Sequence, residues 1–296
     1  MQRLVVASEA IASGRLTRRE LTRDYSRVYR NVYVPTGTTL SAAERAKAAW
    51  LSSGRDAVMC GLSAAALLGS RWIPDDAPAD VLGRHHRRDD GIVVHAERVP
   101  AEELVWCQGV RCTDVERTVF DLGRRLLFPE NLIRVDALLN ATGVPVEGIA
   151  GIADRYRGAR NIRRLDEVLR LADGGAESPQ ESRVRIVLIE GGLPRPATQI
   201  RVGRRRVDMG WPEWKVGVEY DGAQHWTDID QHGGDIARLE YLHQMDWVIV
   251  RVVAAHLRDP QLIIERVVAA LRAKGWQGSL APVQIGPAVQ SPKRGW

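Results

Sequence analysis

The chain has 296 residues, 45% of them hydrophobic and 27% charged, the make-up of globular protein with room for two domains and a core in each. Its longest apolar runs, "WVIV" among them, are far too short to span a bilayer, and "MQRLVVASEAIASG" at the N-terminus reads as an amphipathic helix, so neither a membrane partner nor a signal peptide is expected. The net charge of +5 permits nucleic-acid contact without demanding it, and three cysteines, an odd number, fit reduced thiols in a cytoplasmic protein rather than a disulfide framework.

Residues 1–65 are expected to form a small helical module with a hairpin. "LTRRELTRDYSRV" opens a helix, with Thr17 and Glu20 at capping-box spacing. "RVYRNVYVP" alternates Val and Tyr around Arg30-Asn31, the pattern of two short strands and a tight turn. Helix, helix and a two-stranded wing is the plan of a winged helix. "SAAERAKAAWLSSG" adds a helix ending at Gly54, and "GLSAAALLGS" a small-residue helix able to pack closely.

Residues 66–172 read as a second, mixed α+β module. "ADVLG", "GIVVHAERV" and "GVRCTD" are strand-like, and "GRHHRRDDG" between the first two reads as a solvated hairpin turn rather than a metal site. "DVERTVFDLGRRL" restores helical period behind Thr113 or Asp114 as cap, and helical patterns run on through "ENLIRVDALLNATG" to "LDEVLRLADGG". In "GRLTRRELTRDYSRVYRNVYVP", "LSAAALLG" and "CTDVERTVFDLGRRL" the first 130 residues resemble AbiEi-type antitoxins and transcriptional regulators of abortive-infection systems. The resemblance implies a winged-helix DNA-binding start, with Arg18, Arg19, Arg27 and Arg30 as contacts to the DNA backbone. A plain helical packing module is the alternative.

"ADGGAESPQ" marks a domain boundary, and residues 173–275 follow as α-β-β-β-α-β-α. The elements are "QESRVRIVLIEGG", "ATQIRV", "RRVDMGW", "KVGVEYDG", "GDIARLEYLHQMD", "WVIVRVV" and "PQLIIERVVAALRA". Residues 276–296, with Gly and Pro and no period, are expected to be a disordered tail.

Chemistry concentrates in "VDMGWPEWKVGVEYDGAQHW", residues 207–226. Val207, Met209 and Trp211 alternate on one strand and Val216, Val218 and Tyr220 on the next, which leaves Asp208, Glu219 and Asp221 on the other face. Either of the first two acids alone reads as a solvated surface charge. Together they repel, and a divalent cation, Mg2+ or Mn2+, is the common answer.

Order and spacing from residue 177 to 260 resemble the PD-(D/E)xK nuclease superfamily, nearest its very-short-patch repair endonuclease-like domains. The resemblance implies an α/β restriction-endonuclease-like fold, a mixed central sheet flanked by helices. It implies that Asp208, Glu219 and Asp221 bind metal, that Glu181 is an accessory acid, and that Asp235 and Arg238 face the same site. Where the superfamily carries Lys this chain carries Asp221, which leaves Lys215, His225 and Arg238 as candidates for its cationic role. Arg204, Arg205 and Arg206 form a hairpin tip beside the site, placed to touch phosphate. The expected function is a Mg2+-dependent endonuclease acting on DNA, and the alternative a non-catalytic DNA-binding regulator with a degenerate nuclease fold. Candidate partners are nucleic acid, a second copy in a homodimer, and a toxin or antitoxin protein.

Overall fold

Two capping boxes start helices of the N-terminal part. In the computed structural model, which describes residues 4–83, 90–149, 151–222 and 229–282 (the last range by side chain from 237), β1 (Val5–Val6) leads into α1 (Ala7–Ala12). α2 (Arg18–Asp24) opens where Thr17 Oγ1 accepts the Glu20 N–H at 3.2 Å and Glu20 Oε2 accepts the Thr17 N–H at 2.8 Å. β2 (Tyr25–Tyr29) and β3 (Val32–Pro35) pair antiparallel around Asn31, whose φ of 62° closes the turn. The helix–helix–hairpin order is therefore present, and β1 joins the hairpin as a third strand in the order β1-β3-β2. Ser41 and Glu44 form the second capping box, at the head of α3 (Ala42–Ser52).

β4 (Val58–Met59), α4 (Gly61–Leu67), β5 (Ala79–Leu82), β6 (Ile92–His95), β7 (Leu104–Cys107) and β8 (Val110–Thr113) follow. Their strands make a five-stranded sheet in the order β6-β5-β4-β8-β7. The expected strands are β5, β6 and β8; β4 and β7 are additional. Tyr29 and Val32 share one core with Met59, Leu67, Val81 and Cys112. The buried hairpin residues Tyr29 and Val32 thus pack into a core that continues beyond residue 65.

α5 (Val115–Arg125) starts at Asp114, the cap of the two considered, whose Oδ1 accepts the Arg117 N–H at 2.7 Å. Its polar residues are as buried as its apolar ones. Arg117 pairs with Glu97 at 2.7 Å, Glu103 at 3.3 Å and Asp121 at 3.4 Å, and donates to Tyr156 Oη at 3.2 Å. Arg124 and Arg125 also pair with Asp121, at 3.3 and 2.9 Å, and both reach Glu97. Burial still pushes the Asp121 carboxyl upward against the pull of the three arginines.

α6 (Glu130–Thr142), α7 (Gly151–Arg155) and α8 (Ile162–Leu171) come next. The chain divides into two units, Met1–Leu126 with Ala141–Leu169, and Leu127–Asn140 with Arg170–Trp296. The later break between the units falls between Leu169 and Arg170. The assignment of most of α6 to the C-terminal unit differs from expectation, and a buried ion pair explains it. Arg185 holds Asp136 at 2.6 Å, Ser182 Oγ donates to the same carboxylate at 2.7 Å, and the Asp173 N–H donates to its other oxygen at 2.8 Å.

The C-terminal unit continues with α9 (Pro179–Glu190), β9 (Ala197–Val202), β10 (Arg205–Trp211), β11 (Val216–Asp221), α10 (Ile229–Gln244), β12 (Val248–Val253) and α11 (Pro260–Ala273). The expected seven-element order is observed. The sheet runs β12-β11-β10-β9, parallel between β11 and β12 and antiparallel elsewhere, so it is mixed. On one side Val184 and Leu188 of α9 and Ile263, Val267 and Leu271 of α11 cover Met209, Val218 and Val250. On the other, Leu242 of α10 packs with Ile200, Val202, Val207 and Trp247.

Two expectations need correcting. Val207 does not share a core with Met209 and Trp211, because the pairing of β9 with β10 is irregular opposite Gln199, whose φ is 52°. Trp276 is no part of a loose tail: it is 7% exposed, in the α9–α11 core, and the Ala281 N–H donates to Gly192 O at 3.2 Å. Residues 283–296 lie outside the described set.

Candidate functional site

Asp208 sits at a break in the sheet. β9 pairs with Val207 and Met209 on either side of it, and pairing with β11 begins at Met209↔Val218. Beyond that point the Tyr220 N–H donates to Asp208 Oδ2 at 3.0 Å, so a side chain stands in for the backbone acceptor. A carboxylate held this way has one oxygen fixed and a second to offer.

Glu219 follows on β11 and is 5% exposed. Arg238, from α10, grips it with both terminal nitrogens at 2.9 and 2.6 Å and also donates to Arg206 O at 2.8 Å. Asp221, two residues on, is paired with Arg251. Arg251 stands on β12 in register with Glu219, so the parallel strands bring it to the acids. Glu181, 8% exposed, closes the first turn of α9: Ser178 Oγ donates to its Oε1 at 2.8 Å and the Glu177 N–H to its Oε2 at 2.9 Å.

Burial raises the carboxyl of Glu181, and the charge of Asp208 raises it further, against hydrogen bonds from Glu177 and Ser178. Asp208 is raised chiefly by burial, against the Tyr220 N–H and Arg238. Glu219 is pushed up to about 7, again chiefly by burial, with Arg238 opposing and Asp208 adding repulsion. Acids from α9 and β11 thus both feel the charge of Asp208 on β10, in a space that disfavours their charges.

A pH dependence follows. The ordinary carboxyl value of Glu219 is 4.5 and its folded value about 7, so the native state holds this proton more tightly than the unfolded chain. The associated stability is full below the lower value and lost as pH rises through the upper one. Without metal, the urea midpoint should fall from about pH 5 to about pH 8, and Glu219→Gln should flatten that fall. A midpoint that rises over this interval, with the variant tracking the wild type, would show that Glu219 stays ionised throughout.

The residues expected to bind metal are thus only partly brought together. Repulsion between Glu219 and Asp221 does not by itself call for a cation, because Arg238 and Arg251 already serve as counterions. Among the described residues no three His, Cys, Asp or Glu side chains converge as a metal cage. Mg2+ does not require one: it binds through one or two carboxylates and keeps waters for substrate phosphate. Of the acids here, Asp208 and Glu219 could serve in that way, Glu219 on release from Arg238.

Of the cationic candidates, Lys215 is excluded by position. It precedes β11, at the end opposite Asp221, and its Nζ points to Met245 O at 3.4 Å and Asp246 at 3.7 Å. His225 and the side chain of Asp235 lie outside the described residues, as do residues 84–89. Arg251 was missed, although a lone Arg in "VIVRVV" beside an acid-bearing strand was the available signal. The hairpin arginines divide: Arg204 lies over the Tyr241 ring at 4.9 Å, Arg205 is half-buried, and Arg206 pairs with Glu177 at 2.8 Å. In the N-terminal unit Arg18, Arg19, Arg27 and Arg30 are all exposed. The first three have no ion pair among the described residues, while the Arg30 carbonyl accepts from Ser52 Oγ at 2.9 Å.

Residues 57–171 match the family model of the AbiEi antitoxin C-terminal domain. The uncharacterised proteins MT2308 and Rv2248 of two Mycobacterium tuberculosis strains are each 31% identical to the chain over 223 residues, 72% of this chain and 81% of theirs. No solved structure matches it. No described helix is long and apolar enough to cross a membrane.

Proposed function

The chain belongs to the family of these two mycobacterial proteins and matches an antitoxin domain over residues 57–171, and from that premise we propose a DNA-binding protein of a toxin–antitoxin or defence system whose C-terminal unit hydrolyses phosphodiester bonds with a divalent cation. The observation that carries the second half is the placing of three largely buried carboxylates, Glu181, Asp208 and Glu219, so that Asp208 repels the other two. Burying like charges side by side is costly even where each has a hydrogen-bond partner, and such arrangements cluster where a ligand or a reaction uses them. The restriction-endonuclease-like reading is supported by the element order and mixed sheet.

Asp208 and Glu219 would hold Mg2+ or Mn2+. Bound there, the cation supplies a water of lowered pKa and neutralises charge on the phosphate. The Tyr220 N–H orients Asp208. Glu181, fixed by the turn at Ser178, faces Asp208 electrostatically and can accept a proton at this raised carboxyl. Arg238 and Arg251 present guanidinium groups to the phosphodiester.

A second reading has its own observation. The two-pronged grip of Arg238 on Glu219 is also what a platform without catalysis would keep. Incubating the full chain with Mg2+ or Mn2+ against a panel of duplex, single-stranded and flapped DNA and RNA separates the two. Cleavage that stops on chelation supports the enzyme; an intact panel leaves the regulator.

The N-terminal unit should bind duplex DNA through its unneutralised arginines. Each lost phosphate contact lowers the slope of log affinity against log salt by about 0.9. The Arg18→Ala/Arg19→Ala variant should therefore show a slope smaller by about 1.8, with weaker binding across sequences. An unchanged slope would remove α2 from the DNA interface. A toxin protein or a second copy is proposed as the protein partner of the antitoxin-like part.

A further inference from the structure

The acids and the arginines of the site lie at different depths. The side chains of Glu219 and Asp221 are 7% and 11% exposed, while those of Arg238 and Arg251 are 28% and 41% exposed. An incoming ligand meets guanidinium before it meets carboxylate. Arg238 commits both terminal nitrogens to Glu219, and Arg251 reaches Asp221 through one. Each guanidinium has five N–H donors in a planar fork that fits phosphate as well as carboxylate. Glu177 and Arg206, at the margin, are paired with each other at 2.8 Å and so neutralise themselves.

Resting on the phosphodiesterase reading, we infer that Arg238 and Arg251 are exchangeable counterions: they hold Glu219 and Asp221 while the site is empty and pass to nucleic-acid phosphate when substrate arrives, so that phosphate and divalent cation bind cooperatively. Each ligand alone meets opposition. A cation alone competes with two guanidinium charges for carboxylates already in use. A phosphate alone faces Glu181, Asp208, Glu219 and Asp221. Together they complete an exchange: phosphate takes the guanidinium groups, and the cation held by Asp208 and Glu219 offsets the charge of Asp221 two residues along the strand. The cation is thus admitted with the substrate, and the acids stay neutralised between turnovers without a resident metal. Because binding linkage is reciprocal, the factor by which phosphate tightens the cation equals the factor by which the cation tightens phosphate.

The test uses the full chain, with Mn2+ as the metal probe and a short phosphorothioate DNA duplex as the phosphate probe. Bound Mn2+ is read by electron paramagnetic resonance at matched free Mn2+, with Asp208→Asn as the background. In the wild type, DNA should tighten Mn2+ by about fivefold or more, the usual scale of such coupling. Arg251→Gln should bind Mn2+ more tightly than wild type without DNA, and gain little on adding DNA. The loss of coupling separates an exchanged ion pair from simple removal of a repelling charge. If Arg251→Gln does not fold, Arg251→Lys, which keeps the charge and loses the fork, should show reduced coupling. Mn2+ affinity in the wild type that ignores DNA overturns the exchange and leaves the metal site standing. Mn2+ binding no different from Asp208→Asn in either condition overturns the metal site and the exchange with it.

Discussion

Asp208→Asn should lower metal-dependent cleavage by about 10²–10³-fold or more while making the metal-free protein harder to melt. Asparagine keeps an oxygen for the Tyr220 N–H, so the sheet retains the hydrogen bond that now bridges its break. The negative charge goes, and with it the repulsion that Asp208 exerts on Glu181 and Glu219. Relief should outweigh the lost attraction of Arg238, because burial is the largest influence on Asp208 and acts against its charge. A gain on the order of 1 kcal/mol corresponds to roughly 2–4 °C in a chain of this size. Mg2+ should stabilise the wild type by ligand linkage and the variant far less. If both proteins melt alike and respond alike to Mg2+, Asp208 is an ordinary structural carboxylate.

Arg117→Ala should destabilise the N-terminal unit by about 3–5 kcal/mol. Arg117 is 1% exposed and its guanidinium serves Glu97, Glu103, Asp121 and Tyr156. Glu103 and Asp121 are themselves 5% and 0% exposed, so truncation strands carboxylates where water cannot reach them. Arg124 and Arg125 still face Asp121, which limits the damage there, but among the described residues Glu103 keeps Tyr156 and the longer pairing with Arg155 at 3.7 Å and no closer cation. Arg117→Lys keeps the charge and loses the fork, and should fall between the two. Urea denaturation of the full chain, followed by a signal from this unit, reads the effect. A loss under about 1 kcal/mol would mean the acids are satisfied without Arg117.

What could be read in advance followed local rules. Thr17 with Glu20 announced a helix start because the capping box lies within one turn of chain. The seven elements of the C-terminal unit stood out because strands and helices alternate there with clear apolar periods. β4 and β7 did not, because a two-residue strand has no period and β7 carries an exposed Trp106 where alternation would be sought. α5 misled most: its apolar face was visible, but Arg117, Asp121 and Arg124 satisfy one another inside and so look like solvent residues in sequence.

The candidate site was half legible for a related reason. Acids two apart on a strand are countable, so Glu219, Asp221 and Asp208 could be placed near one another. Of their counterions, Arg238 was implied by the resemblance, whereas Arg251 was not, since it reaches the acids through parallel strand pairing. Repulsion inferred from acids alone overstated the need for a cation.

The Asp136–Arg185 pair joins residues 49 apart, with residues 141–169 between them folded into the other unit. Such a pair constrains how the protein is made and how its gene can be cut. Residue 136 leaves the ribosome seconds before its counterion exists, so α6 must wait, exposed or chaperoned, until α9 emerges. A recombination breakpoint at the loop near 172 would leave Arg185 without the Asp136 carboxylate and donate a C-terminal cassette unable to close its own interior. Natural shuffling should then move the antitoxin-like part and the C-terminal unit as one inherited block, and domain swaps in the laboratory should succeed only when residues 127–140 travel with the C-terminal piece.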